Sequence, residues 1–381
     1  MAQRIKTDWV LFLTIVGMVC FGLVMVYSAS SAMAAVKYKD ANYVVLRQLG
    51  WVAVSFIALM FFKRKDYHRL AKPTWAFAPL GVVTAMLVVV YFLDARAHRW
   101  LKFGSVGIQP AEFAKPAMIV FLAWFVTRRA HAINTRYTLA PAALCLGLLA
   151  GAVIIADLGT AAVLVCTAAA MFYVAGLERR YFIAAVCAGL LVVPLAIVAK
   201  PYRLLRVIEY FSFIDPEHKL LDWVDPEGKL KERAKRSNTQ DSTYQARQSV
   251  IAVATGGVTG LGITEGKQKV LFLPEAHNDF IYAVIGEELG LAGALLVIAG
   301  YFVILWRGYR LYFVVPDDFG RYLALGISTA MVVQALMNMS VVLDMAPTKG
   351  FPLPLISYGG SSLLSSLSSL GILMSVSDHA G

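Results

Sequence analysis

Long runs of apolar residues alternate with short polar segments along almost the whole chain. Each run is close to the length at which a helix crosses the hydrocarbon core of a bilayer. The pattern therefore predicts an all-α polytopic membrane protein with ten transmembrane helices. We place these helices at about 9–27, 44–62, 75–93, 111–126, 138–155, 158–175, 181–199, 280–306, 322–343 and 357–375.

The composition agrees with a membrane protein. Of the 381 residues, 59% are hydrophobic, and the mean hydropathy of +0.66 would leave a soluble protein too little polar surface. The cysteines all fall within the predicted spans and show no CxxC spacing, so we interpret them as packing residues without a redox or metal role. They are Cys20, Cys145, Cys166 and Cys187.

The positions of lysine and arginine indicate the orientation, because both residues concentrate in cytoplasmic loops. With the N-terminus inside, the inner segments are much richer in them than the short outer loops. We therefore expect both termini in the cytoplasm and the long segment 200–278 outside. This bias also accounts for much of the net charge of +11. The chain shows no basic face apart from the membrane runs, so we expect no nucleic-acid binding.

The outer segment 200–278 is too long for a simple hairpin loop, so a function is expected there. Residues 202–214 mix leucines and aromatic residues with arginines, which is typical of a helix lying on the membrane surface. Residues 215–242 are charged and poor in apolar side chains, which predicts a mobile stretch. Residues 244–263 begin as an amphipathic helix and end in glycines, which favours a re-entrant or interfacial segment. We interpret 1–381 as one transmembrane domain.

Asp279 stands at the end of the outer segment, directly before the apolar run that begins at Phe280. A carboxylate at the mouth of a membrane helix can act on a substrate whose tail lies in lipid. Ionisable groups near membrane depth are therefore candidates for function. An aspartate before an apolar helical run is also typical of an N-cap. Both interpretations can hold, because a cap fixes a carboxylate in place.

Glu112 and Lys115 follow Pro110, a residue that suits the start of a helix. Their spacing of three places both side chains on one helix face, where they can pair. The pair is either a structural ion pair or a cation for a diphosphate, with the glutamate holding the lysine. Arg99 and Trp100 lie upstream and form either an interface anchor or a grip on a headgroup phosphate, the anchor being the more common arrangement.

Glu287 and Glu288 lie about two turns into the predicted span 280–306. Adjacent helical positions diverge by about 100°, so the two side chains cannot both face one cavity centre. At least one of them is expected to be a hydrogen-bonded packing residue. Asp157, between two spans, is expected to cap the second.

The segment 346–362 contains three prolines and three glycines, which rule out a regular helix. Its apolar character keeps it near the membrane, so we predict a structured re-entrant loop lined with hydroxyl groups. Lys349 is its only charged residue. Lys349 and Ser357 are therefore candidates for binding a substrate.

Five motifs, in order along the chain, resemble those of the SEDS family (shape, elongation, division and sporulation proteins). They are HRWLKFG with IQPAEFAKPA, ADLGT, YQARQS with GGVTGLG, LPEAHNDFIYAVIGEELGLAG, and PTKGFPLPLISYGGSSLL. The resemblance covers essentially the whole chain. The start of the last motif and the Leu-Pro-Glu-Ala-His stretch are more similar to division members than to elongation members of the family.

The resemblance implies a peptidoglycan glycosyltransferase that polymerises lipid II at the outer face of the bacterial inner membrane, at the septum, and releases undecaprenyl diphosphate. It also implies partners: a class B penicillin-binding protein of the FtsI type and other division proteins. The family's essential aspartate corresponds to Asp279, its glutamate and lysine to Glu112 and Lys115, and its early arginine to Arg99. Asp279 would act as general base or as a ligand of Mg²⁺ or Mn²⁺, with Lys115 and Arg99 stabilising the leaving diphosphate.

The chain departs from the family pattern in four places, which affect the expected loop geometry. Asn278 replaces a threonine, Ala156 a proline and Ala111 a serine, and the charged stretch 215–243 is longer and ends in Thr243 where glycine is usual. Three alternative functions stay open: an elongation-type polymerase, a lipid II flippase or other transporter, and a non-catalytic scaffold. The candidate charges cluster at the outer mouth of the bundle and not at the midplane, which argues against a transporter.

Overall fold

The computed structural model describes residues 7–94, 99–104, 106–198, 203–204, 206–207, 210, 240–271, 273, 276–347 and 350–380. Within these residues, ten apolar helices match the ten predicted spans, which confirms the all-α membrane fold. They are α1 (Trp9–Tyr38), α2 (Tyr43–Arg64), α3 (Pro73–Leu93), α4 (Pro110–Arg129), α5 (Arg136–Ala156), α6 (Leu158–Val174), α7 (Arg179–Val198), α10 (Ile281–Val314), α11 (Asp318–Val342) and α12 (Gly360–Asp378). In the described part of the stretch between α7 and α10 lie two further helices, α8 (Gln240–Gly256) and the short α9 (Gln268–Leu271).

Some helices differ in length from the predicted spans. The first helix, α1, has 30 residues, because the stretch after residue 27 is rich in alanine and other residues that a helix tolerates. The helix α10 has 34 residues but is broken at Gly290, where φ is 62° and ψ is −157°. The shortest span, α6, has 17 residues and is separated from α5 by Asp157 alone.

Ion pairs at one end of the bundle bring together the helix ends expected on the cytoplasmic side. Asp8, at the N-cap of α1, lies 2.6 Å from Arg307 near the end of α10. Lys63, near the end of α2, lies 3.6 Å from Asp378 at the end of α12. In an alternating ten-helix topology these four ends share one side. The start of α1 and the end of α12 therefore lie on the same side, as the lysine and arginine pattern predicts.

The centre of the bundle is formed by α4, α11 and α12. In the most apolar stretch of these helices, 78%, 72% and 78% of the residues are buried. In α7 none is buried, so this helix lies at the periphery. The candidate residues on α4, Glu112 and Lys115, are consequently held in the most closely packed part of the described chain.

At the opposite end of the bundle, a two-stranded antiparallel hairpin connects α3 to α4. Its strands are β1 (Leu101–Phe103) and β2 (Val106–Ile108), with Leu101 opposite Ile108. Pro110 then occupies the first turn of α4, as predicted. Arg99 lies two residues before β1, near the outer ends of the helices.

Apart from a few residues between 203 and 210, the described part of the outer segment begins at α8. The helix α8 continues into tight turns at 257–262, which confirms the predicted helix followed by glycine turns. The predicted surface helix at 202–214 lies mostly outside the described residues. The predicted mobile stretch lies outside them up to residue 239, and its last residues already belong to α8.

Candidate functional site

The segment between α11 and α12 enters the bundle as a re-entrant loop. Residues 351–357 are all buried. The loop approaches α1 so closely that a Cβ on Gly22 would lie 2.7 Å from the Cα of Ile356. From α10, the Tyr301 hydroxyl donates to the Pro354 carbonyl. The predicted re-entrant loop is confirmed, and its position is fixed between α1 and α10.

Asp279 lies in a turn directly before α10, and the re-entrant loop holds the backbone of this turn. The Asn338 side-chain amide of α11 donates to the Asp279 carbonyl at 2.9 Å and to the Phe351 carbonyl at 2.8 Å. Ser357 Oγ donates to the Asn278 carbonyl at 2.5 Å. The turn and the loop therefore form one hydrogen-bonded unit around Asp279.

The carboxylate of Asp279 lies against Gly350 at the start of the loop. A Cβ on this glycine would overlap Oδ2 of Asp279 and lie 3.0 Å from its Cγ. The N-cap position of α10 is occupied by Phe280, whose side chain makes no capping hydrogen bond. The predicted N-cap role of Asp279 is therefore wrong, because the helix begins one residue too late for it. Asp279 is partly exposed.

Arg99 contacts the same glycine from the β-hairpin side. Its Nη2 donates to the Gly350 carbonyl at 3.2 Å and to Asp157 Oδ2 at 2.8 Å. Asp157 is buried and, as predicted, caps α6, where Oδ1 accepts the Gly159 N–H at 3.0 Å. The Arg99 side chain is 28% exposed. Arg99 thus forms hydrogen bonds inside the protein, which a simple interface anchor does not need. Its side chain nevertheless reaches the outer surface.

Glu112 and Lys115 form the predicted ion pair, with 2.7 Å between Lys115 Nζ and Glu112 Oε2. Lys115 Nζ also donates to Gln334 Oε1, and Gln334 Nε2 donates to the Pro352 carbonyl at 2.9 Å. The Glu112 and Lys115 side chains are only 2% and 8% exposed. The pair therefore supports the re-entrant loop from within the bundle.

Burial changes the ionisation of two groups near Asp279 that lie outside the membrane spans. Burial, together with the nearby Lys37 ammonium, lowers the pKa of His277 to about 4. Burial also raises the pKa of Tyr358, whose N–H donates to the His277 carbonyl at 3.0 Å. Both side chains are therefore neutral near pH 7 and add no charge beside Asp279.

The structure brings Asp279, Arg99 and Ser357 together around the re-entrant loop, with the buried Glu112–Lys115 pair behind it. Ser357 contributes through hydrogen bonds to the chain, as it also accepts the Leu353 N–H at 2.8 Å. The candidate Lys349 lies outside the described residues.

Two residues that organise the site, Gln334 and Asn338, were not among the residues predicted from the sequence. Both are buried on α11 and both donate to carbonyls of the re-entrant loop. A signal existed, because two amide side chains four residues apart in an apolar run lie on one helix face.

A family model described as "Cell cycle protein", FtsW/RodA/SpoVE, matches residues 8–381. A protein of Geobacter sp. (strain M18) named "Probable peptidoglycan glycosyltransferase FtsW" is 36% identical over 379 residues, covering 97% of this chain and 96% of its own length. The stage V sporulation protein E of Bacillus subtilis (strain 168) is 34% identical over 388 residues, covering 99% of both chains.

Solved structures show the same fold. One, described as a peptidoglycan synthase complex that coordinates polymerization and crosslinking, has a TM-score of 0.73 and 25% identity over 98% of both chains. The rod shape determining protein RodA of Thermus thermophilus has a TM-score of 0.68 and 22% identity, covering 98% of this chain and 97% of its own. Since the family model and relatives above 30% identity span nearly the whole length, the chain belongs to the FtsW/RodA/SpoVE family, the SEDS family that its motifs resemble.

Proposed function

We propose that this chain is a division-type peptidoglycan glycosyltransferase that polymerises lipid II on the outer face of the bacterial inner membrane. The assignment to division follows the full-length relatives named FtsW, such as that of Geobacter metallireducens at 36% identity. One observation carries the proposal. The carboxylate of Asp279 and the guanidinium of Arg99 meet at one residue, Gly350, at the outer end of the bundle.

The reaction joins the C4 hydroxyl of an acceptor N-acetylglucosamine to the anomeric carbon of a donor N-acetylmuramic acid. The bond between that carbon and the diphosphate oxygen breaks, and undecaprenyl diphosphate leaves. The α-linked donor gives a β-linked product, so one inverting displacement is sufficient. Asp279, as general base, takes the proton of the acceptor hydroxyl. The partial exposure of Asp279 allows a sugar headgroup to reach it.

The departing diphosphate requires a cation, and Arg99 is the better placed of the two candidates. Its side chain is 28% exposed, whereas that of Lys115 is 8% exposed and paired with Glu112. A guanidinium suits phosphate oxygens because its N–H groups form a planar fork. Lys115 instead acts on the loop through Gln334. This differs from the direct contact with the diphosphate that was expected from the sequence. Lys349, next to Gly350 in the chain, stays a further candidate.

A divalent cation would depend on the substrate for part of its ligands. Within the described part of the chain, no group of three or more His, Cys, Asp or Glu side chains is placed to hold a metal ion. Mg²⁺ is commonly held by one or two carboxylates together with phosphate oxygens. In the alternative role of metal ligand, Asp279 would hold Mg²⁺ or Mn²⁺ jointly with the diphosphate, whose charge the ion would offset. Loss of polymerisation in EDTA, with recovery on adding Mg²⁺ or Mn²⁺, would support this role over that of general base.

The proposal includes a class B penicillin-binding protein of the FtsI type as partner, other division proteins of the membrane, and localisation at the septum. A structure similar to this chain is described as a complex that coordinates polymerization and crosslinking, which supports a transpeptidase partner. The apolar helices support a multi-pass membrane location.

The test is a lipid II polymerisation assay on the purified chain with its cognate transpeptidase. Asp279→Asn should abolish glycan-strand formation while the protein stays folded and bound to its partner. Asp344→Asn is the matched control, because Asp344 is an exposed aspartate at the same end of the bundle whose left-handed backbone asparagine also tolerates. Polymerisation at the wild-type rate by Asp279→Asn contradicts the assignment. Lipid II movement across vesicles without polymerisation would favour the transporter.

A further inference from the structure

The part of α10 next to Asp279 is separated from the rest of the helix by a backbone break at Gly290. In a continuous helix the Leu291 N–H would donate to the Glu287 carbonyl. Here it donates to the Gly257 carbonyl, in the turn after α8, at 2.9 Å. The first turns of α10 therefore exchange hydrogen bonds with the outer segment.

The exchange is reciprocal. The Leu261 N–H donates to the Glu287 carbonyl at 3.0 Å, and the Gly262 N–H donates to the Glu288 carbonyl at 2.9 Å. The approach is so close that a Cβ on Gly260 would overlap the Glu288 carbonyl oxygen. The backbone of the outer segment is thus fixed against the start of α10.

Both glutamates of this stretch also use their side chains on the outer segment. Glu287 Oε1 accepts the Lys267 N–H at 2.7 Å and the Gln268 N–H at 3.1 Å. Glu288 Oε1 forms an ion pair with Lys269 Nζ. Both glutamates are fully buried, as expected for packing residues, yet both bind the same short segment.

The ion pair of Lys269 and Glu288 includes a third residue from α1. Ser28 Oγ donates to Glu288 Oε2 at 2.7 Å, and Lys269 Nζ donates to Ser28 Oγ at 2.9 Å. The Lys269 and Glu288 side chains are 4% and 0% exposed. Removing one partner of a buried ion pair leaves the other charge buried and uncompensated, which is strongly destabilising. Loss of either Lys269 or Glu288 alone should therefore disrupt the whole contact.

Asp279 lies within the stretch that this ion pair closes. Lys269 and Glu288 are 19 positions apart in the chain, and Asp279 is near the middle of that interval. Fixing both ends of a short stretch limits the positions that its middle can take. Asp279 is therefore held in two ways. The re-entrant loop contacts it directly, and the ion pair joins the two ends of the stretch 269–288 that contains it.

We propose that Lys269, through Glu288 and Ser28, is a positioning residue that fixes Asp279 for proton transfer. The proposal rests on the proposed function, in which Asp279 is the base. A displacement of about 1 Å at a reacting group can cost about 10²-fold in rate. Loss of the ion pair should therefore lower kcat and leave the binding of lipid II largely unchanged.

The experiment compares Lys269→Met with Lys267→Met in the full chain bound to its transpeptidase. Lys267 is the matched control, since its side chain is exposed and only its backbone N–H binds Glu287. Lys269→Met should lower kcat about 10²-fold with KM for lipid II within about twofold of the wild type. Lys269→Arg, which keeps the charge, should retain more activity than Lys269→Met, and Lys267→Met should match the wild type.

A second variant separates positioning from stability. Lys269→Met combined with Glu288→Gln removes both charges, so no unpaired charge stays buried. The thermal midpoint should recover relative to Lys269→Met alone, while kcat stays low. Recovery of kcat together with stability would show that the pair only stabilises the fold and would overturn the inference. If Lys269→Met alone does not fold, the kcat of the double variant decides between positioning and stability in the same way.

The outcomes also separate this inference from the proposed function. If Asp279→Asn is inactive and folded Lys269→Met keeps wild-type kcat, only the positioning role is wrong. If Asp279→Asn itself polymerises lipid II normally, the assignment of the base is wrong, whatever Lys269→Met does.

Discussion

The carboxylate of Asp279 and the α-carbon of Gly350 are in direct contact, with no space for a side chain on the glycine. The carbonyl of the same glycine accepts a hydrogen bond from Arg99. Gly350 is therefore the point where the proposed base and the proposed phosphate-binding cation are held relative to each other. A change at this position acts on both groups without removing either.

Gly350→Ala should strongly reduce activity while changing the thermal midpoint of the protein little. The new Cβ would overlap Oδ2 of Asp279, so the carboxylate must move, and a misplaced base lowers kcat by about 10²-fold. The measurement is lipid II polymerisation together with the thermal midpoint of the purified protein.

Gly359→Ala in the same loop is the control for this substitution. A Cβ there would meet its nearest atom, Cβ of Ser362, at an ordinary 3.7 Å. Its activity should be close to that of the wild type. Equal activity losses in the two variants would show that the loop tolerates no alanine at all, and the specific contact with Asp279 would lose its support.

Asp157→Asn should separate the two roles of Asp157. Asparagine caps a helix about as well as aspartate. The N-terminus of α6 should therefore stay in place, and the stability of the protein should change little. The ion pair with Arg99 is lost, and the guanidinium should then shift away from Gly350. We expect about a tenfold lower polymerisation rate, because charge-assisted bonds contribute about 1.5–3 kcal/mol. Lys102→Met, at an exposed cation of the same hairpin, should leave the rate unchanged.

The fold was largely predictable from the sequence, because hydrophobic length alone determines where helices cross a bilayer. The ten spans are found in place, and the orientation agrees with the contacts of Asp8 and Lys63 at one end of the bundle. The helix ends were less predictable. The stretch after residue 27 in α1 is helical through local propensity and through Ser28, whose partner Glu288 is 260 residues away.

The site was predictable in its residues but not in its connections. Asp279, Arg99 and Ser357 were expected from charge, motif and loop composition. Their common partner, the re-entrant loop, depends on the amides Gln334 and Asn338, whose role appears only when α11 is packed beside the loop. The break at Gly290 could not be expected either, because it requires the turn after α8 to lie against α10.

Lys115→Met should destabilise the protein strongly. Glu112 would keep its charge in the centre of the bundle without its partner, which costs about 3–5 kcal/mol. Gln334 would also lose a donor, and its bond to Pro352 would become the only contact of its side chain with this network. The measurement is the thermal midpoint in detergent, which should fall clearly below that of the wild type.

The double variant Lys115→Met with Glu112→Gln removes both charges and should recover most of this stability. Activity should stay reduced, since the loop has lost the support that passes through Gln334. If the single variant Lys115→Met is as stable as the wild type, the ion pair does not hold the loop in the way described.

His277 should contribute to loss of stability in acid. Its pKa is lowered from 6.5 to about 4 in the folded protein by burial and by Lys37. The unfolded chain therefore binds more protons than the folded chain between these values, so stability rises with pH across this window and falls as the pH drops from 6.5 towards 4. The difference amounts to roughly 3 kcal/mol.

His277→Gln should remove this part of the pH dependence, because glutamine does not titrate. The thermal midpoint of the variant should decline less than that of the wild type between pH 6.5 and 4, and the two should run parallel above pH 7. His131→Gln, at an exposed histidine between α4 and α5, is the control and should follow the wild type throughout. Identical midpoint curves for His277→Gln and the wild type would mean that His277 is solvated in the folded protein, and burial would then not lower its pKa.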